Sequence, residues 1–187
     1  RNSCSPSSKI VWMRASRRRG RVSEAMGQPK QARQSYEEGL VIAESLVGWN
    51  HPLTSTLALN LGYNCLNNDD AQAAIPYFDR VAEVGASVHD RARLGDANAA
   101  KGFALFELGR FAEALELLRE ALEMLESSAT EPGQLAEAAQ AAALSADALG
   151  QYHEACQYAA VAVARFDPST RAEHPRLDAL RRRCDSR

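Results

Sequence analysis

The sequence predicts an all-α fold, a solenoid of stacked helix-turn-helix hairpins, and three observations carry that expectation. First, the chain repeats. A small residue, a turn residue seven positions on and an alanine five further recur at Gly20/Gly27/Ala32, Gly62/Asp69/Ala74, Gly102/Gly109/Ala114 and Ala143/Gly150/Ala155, at successive shifts of 42, 40 and 41 residues. His51-Pro52 returns as His174-Pro175 after 123 residues, the total of those shifts, so two unrelated marks keep one period. Second, apolar residues on both sides of each turn fall at helical spacing. Third, no bounded run alternates with period two, so no strand is expected. The 34 alanines among 187 residues, with aromatics at only 6%, suit closely crossing helices, because alanine has the best helix propensity and lets backbones approach.

The elements follow in order. Residues 1–12, with Ser3, Ser5, Pro6, Ser7 and Ser8, read as a disordered leader. Residues 13–54 form a degenerate first repeat, whose first helix is expected over Met13 to Met26. There Arg17, Arg18, Arg19 and Arg21 leave little apolar face. Residues 55–94, 95–135 and 136–176 form the second, third and fourth repeats. In the third, Leu94 to Leu108 carries one apolar face and Gly109-Arg110 breaks it. Phe111 to Leu125 then sets Leu115, Leu118, Leu122 and Leu125 opposite Glu113, Glu116, Glu120, Glu123 and Glu126, oil on one arc and acid on the other. Pro52, Pro132-Gly133 and Pro175 stand between hairpins, where a helix must stop for want of an N–H. Residues 177–187 restart a first helix, Leu177 and Leu180 on one side and Arg181, Arg182 and Arg183 on the other, and are expected to cap the last hairpin.

Over roughly residues 13–187 this pattern resembles the tetratricopeptide repeat family, whose hairpins stack into a right-handed superhelix. Gly62, Gly102 and Ala143 match the small eighth residue of that repeat, and Ala32, Ala74, Ala114 and Ala155 its alanine at twenty. Tyr36 and Phe78 match the aromatic at twenty-four, where Leu118 and Ala159 depart. Gly39, Ala121 and Ala162 match the small residue at twenty-seven, with Val81 a looser fit. The long period with its His-Pro mark looks like the kinesin light chain type, and like bacterial arrays attached to serine/threonine kinases. Nineteen arginines against three lysines fit the GC-rich coding of such bacteria.

The resemblance implies a non-catalytic protein-protein interaction module, cytoplasmic, part of a larger signalling or regulatory protein, with a kinase-attached regulatory region as the alternative. It also implies that the first helices line a concave groove. The family's contact positions select Asn60, Tyr63, Leu66 and Asn67 in the second repeat, Asp96, Phe103, Phe106 and Glu107 in the third, and Glu137, Gln140, Leu144 and Asp147 in the fourth. Asn60 matches the asparagine that bonds a peptide backbone in related repeats, since an amide both donates and accepts. Ala100 and Ala141 leave that ladder one rung. The basic residues that clamp a terminal carboxylate in chaperone-binding relatives are absent from these positions, so no chaperone-tail receptor is expected.

Charge and chemistry narrow the rest. The net charge of −2 conceals +8 over residues 1–35, −13 over 36–164 and +3 over 165–187. Asp96, Glu107, Glu137 and Asp147 therefore predict a negative groove and a basic partner, with apolar anchors meeting Tyr63, Phe103 and Phe106. The Arg17 to Arg21 cluster allows contact with nucleic acid or acidic lipid but lacks interleaved aromatics, and a frayed basic terminus is the favoured reading. No phosphate loop, dinucleotide fingerprint or nucleophile elbow occurs, and His153-Glu154 lacks the second histidine of a zinc motif, so no catalytic residue, cofactor or metal is expected. Cys4, Cys65, Cys156 and Cys184 have no metal spacing and read as reduced thiols, Cys65 and Cys156 in the core.

Overall fold

The computed structural model describes residues 6–127, 132–166 and 175–186. Among them every regular element is an α-helix: α1 (Pro6–Ala25), α2 (Pro29–Val47), α3 (Pro52–Leu66), α4 (Ala71–Ser87), α5 (Arg91–Glu107), α6 (Phe111–Glu126), α7 (Pro132–Ala148), α8 (Tyr152–Arg165) and α9 (Pro175–Asp185). The chain forms two compact units, Arg1–Val88 and His89–Arg187. In the first, α1 pairs with α2 and α3 with α4, while α3 packs on both α2 and α1. In the second, α5 pairs with α6 and α7 with α8. There α7 packs on α6 and α5, and α9 on α8 and α7. First helices thus lie beside first helices within each unit, as stacked hairpins require.

One turn closes all four hairpins. Gly27, Asp69, Gly109 and Gly150 have φ of 68°, 59°, 73° and 74°. The next residue's N–H then reaches the carbonyl five positions back: Gln28 to Ser23 at 2.8 Å, Asp70 to Cys65 at 3.0 Å, Arg110 to Leu105 at 2.9 Å and Gln151 to Ala146 at 2.9 Å. The left-handed residue lets the chain reverse while satisfying a helix-end carbonyl. Glycine adopts it without strain, so Asp69 is the costly member of the set.

The crossings explain the sequence register. A Cβ on Gly20 would lie 2.3 Å from the Tyr36 ring, one on Gly62 2.4 Å from the Phe78 ring, and one on Gly102 2.6 Å from Leu118 Cγ. At the corresponding register of the fourth hairpin stand Ala143 and Ala159, both buried. The partner always stands sixteen residues on, and the two sizes trade off: Gly with Tyr, Phe or Leu, and Ala with Ala. Leu118, though not aromatic, occupies the space over Gly102 as the rings of Tyr36 and Phe78 occupy it over Gly20 and Gly62.

The helices start earlier than expected. α3, α5, α7 and α9 begin two to four residues before the repeat starts at 55, 95, 136 and 177. Pro52, Pro132 and Pro175 open helices rather than ending them, at the first helical position, where a missing N–H costs nothing. His51 Nδ1 accepts from Leu53 N–H at 3.2 Å, and Asp90 Oδ1 from Arg93 N–H at 3.0 Å. The second half of the His-Pro echo, His174, lies outside the described residues.

α1 corrects the expected leader from Pro6 onward, and residues 1–5 lie outside the described range. It also corrects the frayed basic terminus, because Arg14 to Arg21 ride on this helix and Arg19 pairs with Glu38 at 3.3 Å. Its buried stripe is Met13, Ser16 and Gly20. Three mostly small residues suffice because Tyr36 of α2 lies directly on Gly20, supplying from the partner the apolar mass that α1 lacks.

Candidate partner-binding faces

In the first unit the selected residues lie on α3. Asn60 is half-buried, and Tyr63 is 37% exposed with its ring edge-on to Phe78 at 5.5 Å. Asn67 is the C-cap of that helix, its N–H bonded to Tyr63 O at 2.9 Å, so it stands at the turn rather than along the helical face. Asn64, one residue beyond Tyr63, is nearly buried and structural. Its Nδ2 donates to Glu24 Oε1 at 3.2 Å and to the Pro29 carbonyl at 3.4 Å, while Tyr36 Oη donates to Glu24 Oε2 at 2.8 Å. Burial, with that bond to a carboxylate, pushes the Tyr36 hydroxyl well above its ordinary range.

In the second unit Asp96, Phe103, Phe106 and Glu107 lie on α5, and Glu137, Gln140, Leu144 and Asp147 on α7. Phe106, Glu107, Leu144 and Asp147 meet Gly109, Phe111, Ala148, Arg176, Ala179 and Arg183 around an open cleft of about 550 Å³. Phe103, Phe106 and Phe111 form a continuous aromatic row, with ring centres 6.2 and 5.8 Å apart. An aromatic row bordered by the charged residues Glu107, Asp147, Arg176 and Arg183 has the composition of an interface anchor with a polar rim.

Electrostatics differ from the expected acidic groove at this cleft. The sequence reading counted α5 and α7 and left out α9, which brings Arg176 and Arg183. Arg183 bonds Asp147 Oδ2 and lies 6.0 Å over the Tyr152 ring. Glu107 and Arg176 are both exposed at the rim. Asp96 lies outside the cleft residues, half-buried, and burial followed by the charge of Asp90 raises its carboxyl pKa. Phe111, Arg176 and Arg183 were the missed contributors. The sequence reading placed Arg183 on the capping helix without assigning it to the groove, and Arg176 stands one residue before the start expected for that helix.

Cys156 and Cys184 form a disulfide between α8 and α9, with Cα atoms 5.7 Å apart, which corrects the reading of four reduced thiols. Packing α9 on α8 closes a sequence separation of 28 residues to bonding distance, which spacing alone did not reveal. Cys65 is free and buried, and desolvation pushes its thiol pKa up. Cys4 lies outside the described residues. Glu113, Glu116, Glu120, Glu123 and Glu126 are all exposed. Arg119 among them reaches across to Glu154 with a two-pronged bond of 2.7 and 2.6 Å, tying α6 to α8 and holding Glu154 below the usual carboxylate range. Among the described residues no group of three His, Cys, Asp or Glu gathers as a metal site, and no helix is long and apolar enough to cross a membrane.

Comparison with known proteins agrees with the fold. The tetratricopeptide repeat family's sequence profile matches residues 56–127. No curated protein sequence matches the chain. The apo form of RapI superposes with a TM-score of 0.77 at 17% identity, over 86% of this chain and 57% of that one, so this chain spans just over half of RapI's length. A kinesin light chain-like protein with nearly identical TPR-like repeats from Podosopora anserina superposes at 0.67 with 20% identity, covering 94% and 83%. The TPR2AB domain of yeast Sti1, solved as a complex with pHSP90, superposes at 0.53 with 17% identity, covering 92% and 69%. Hairpins, crossings and turns define an all-α solenoid fold like that of these tetratricopeptide-repeat structures, with the family's profile matching its central part.

Proposed function

We propose that this chain is a non-catalytic protein-interaction module that seats a peptide or partner surface in the cleft of its second unit. The observation that carries this is the pair Phe106 and Phe111 beside Leu144, half-buried in the open cleft and rimmed by Glu107 and Arg176, with Phe103 extending the aromatic row behind Phe106. Aromatic anchors in a concave site dominate interface energies, and rim charges set register and association rate. The Sti1 complex is a precedent for a protein-binding array of this fold. The partner presents an apolar side chain to the aromatic row and a basic one to Glu107, with Glu137 adding exposed negative charge on α7. Asn60 and Tyr63 on α3 form a second face, in the first unit.

A peptide-array screen at two salt concentrations tests this. Selected peptides should combine Lys or Arg with an aromatic or branched apolar residue. Their association should slow as salt rises, since exposed charges are screened over about 8 Å at physiological ionic strength. Selection of acidic peptides, or binding unmoved by Phe106→Ala, would sink the proposal.

A further inference from the structure

We propose that the Cys156–Cys184 disulfide is a redox latch on the cleft: oxidised, it fixes α9 as the wall carrying Arg176 and Arg183, and reduced, it releases that wall. This rests on reading the cleft as the partner site and adds its regulation.

The observations concern what else holds α9. The helix has 11 residues, below the roughly 12 to 15 at which an isolated helix becomes even marginal in water. Leu177 and Leu180 are its buried residues, at 2% and 1% exposure. Of its two ion pairs among the described residues, Arg181 with Asp185 is internal to the helix. The other, Arg183 with Asp147, has an arginine side chain 56% exposed, where solvent weakens the attraction. Among the described residues two leucines, one solvated pair and the Arg183 contact with the Tyr152 ring make a weak dock, so the covalent tie decides whether α9 stays.

The bond is also placed to be exchanged. Both sulfurs belong to half-buried residues, and with Tyr152, Leu180 and Arg183 they line a small cavity of about 70 Å³. A guanidinium beside them favours the thiolate, the leaving form in thiol-disulfide exchange. A dithiol reductant attacks one sulfur as thiolate and expels the other cysteine as thiolate. Its second thiol then displaces the first cysteine. The reductant leaves as a disulfide, two electrons and two protons having passed to Cys156 and Cys184. Cys65 is buried within the other unit and takes no part.

Release changes the recognition chemistry of the cleft. With α9 docked, Glu107 and Asp147 face Arg176 and Arg183 in balance. With α9 gone, two carboxylates remain beside the aromatic row. Through Glu107 and Asp147 the reduced cleft approaches the negative groove expected from the sequence, and it should prefer a Lys/Arg-bearing segment more strongly than the oxidised one.

The experiment compares the full chain oxidised with glutathione disulfide, the chain reduced with excess dithiothreitol, and the Cys184→Ser variant, with Cys65→Ser as a control that keeps the latch. Alkylation and mass spectrometry count free thiols. Hydrogen exchange follows α9, and a Lys/Arg-bearing peptide taken from the screen is titrated into each form. The expected result is a Cys156–Cys184 link in the oxidised chain, exchange in α9 at least tenfold faster in the reduced chain and in the Cys184→Ser variant, and unchanged exchange in α5 and α6. Peptide affinity should rise severalfold on reduction. Free Cys156 and Cys184 after oxidation, equal protection of α9 in both states, or release of α9 with unchanged peptide affinity would each overturn the latch. If α9 responds as expected and no peptide binds either form, the latch stands and the reading of the cleft as a partner site falls.

Discussion

The pairing of Gly102 with Leu118 makes a stability prediction that can be worked through a double-mutant cycle. Gly102→Ala places a Cβ 2.6 Å from Leu118 Cγ and 2.8 Å from its Cδ2, closer than carbon atoms approach, so Leu118 must shift inside a packed crossing. Overpacking of this kind costs roughly 1 to 3 kcal/mol, and the helix-propensity gain of Ala over Gly returns about 1. The single variant should lose up to about 2 kcal/mol. Leu118→Ala empties a fully buried site and should cost roughly 2 to 5 kcal/mol. The double variant recreates the Ala143/Ala159 pair found one hairpin on, and its alanine at 102 meets no clash. Its cost should fall short of the sum of the two singles by at least about 1 kcal/mol, a size typical of contacting residues. Urea denaturation followed by circular dichroism measures all four corners. Additivity within about 0.5 kcal/mol would show that the two positions do not share one crossing volume, and would refute the register.

Gly109→Ala should cost about 1 kcal/mol because alanine is strained at φ 73°, whereas Asp69→Gly, at φ 59° in the equivalent turn, should raise the thermal midpoint. Asp96 has a carboxyl pKa raised by folding, so its folded form holds the proton better than its unfolded form. Its contribution is therefore most favourable below the ordinary Asp pKa of about 3.9 and is lost as pH rises from there through the folded value. Asp96→Asn should flatten that part of the pH-stability curve and be at least as stable at neutral pH. Phe106→Ala should weaken binding of a screened peptide by about 2 kcal/mol, as loss of a central anchor does, while Glu113→Ala on the outer face should leave it unchanged within about 0.5.

The hairpins were legible because each carries its own punctuation. A left-handed turn needs Gly or a tolerant Asp, and a close crossing needs a small residue, so both constraints surface as fixed spacings in the chain. α1 was half legible: Gly20, Gly27 and Ala32 keep the register, but arginines on the exposed arc mask an apolar stripe that Tyr36 of the neighbouring helix completes. The repeat register placed the selected residues on α5 and α7, and of these Phe106, Glu107, Leu144 and Asp147 line the cleft. What stayed hidden depends on tertiary approach. Cys156 and Cys184 meet only because α9 docks on α8, and Arg183 reaches Asp147 for the same reason. Spacings of 28 and 36 residues carry no hint of either contact.

Backbone amide chemical-shift mapping of the oxidised chain, titrated with a Lys/Arg-bearing peptide from the screen, addresses the central claim most directly. The expected perturbations fall on Phe103, Phe106, Glu107 and Phe111, on Leu144 and Asp147, and on Arg176 and Arg183, and they vanish in Phe106→Ala. Perturbations confined to the arginines of α1 or the outer glutamates of α6, with the aromatic row silent, would contradict the assignment of the cleft as the binding site.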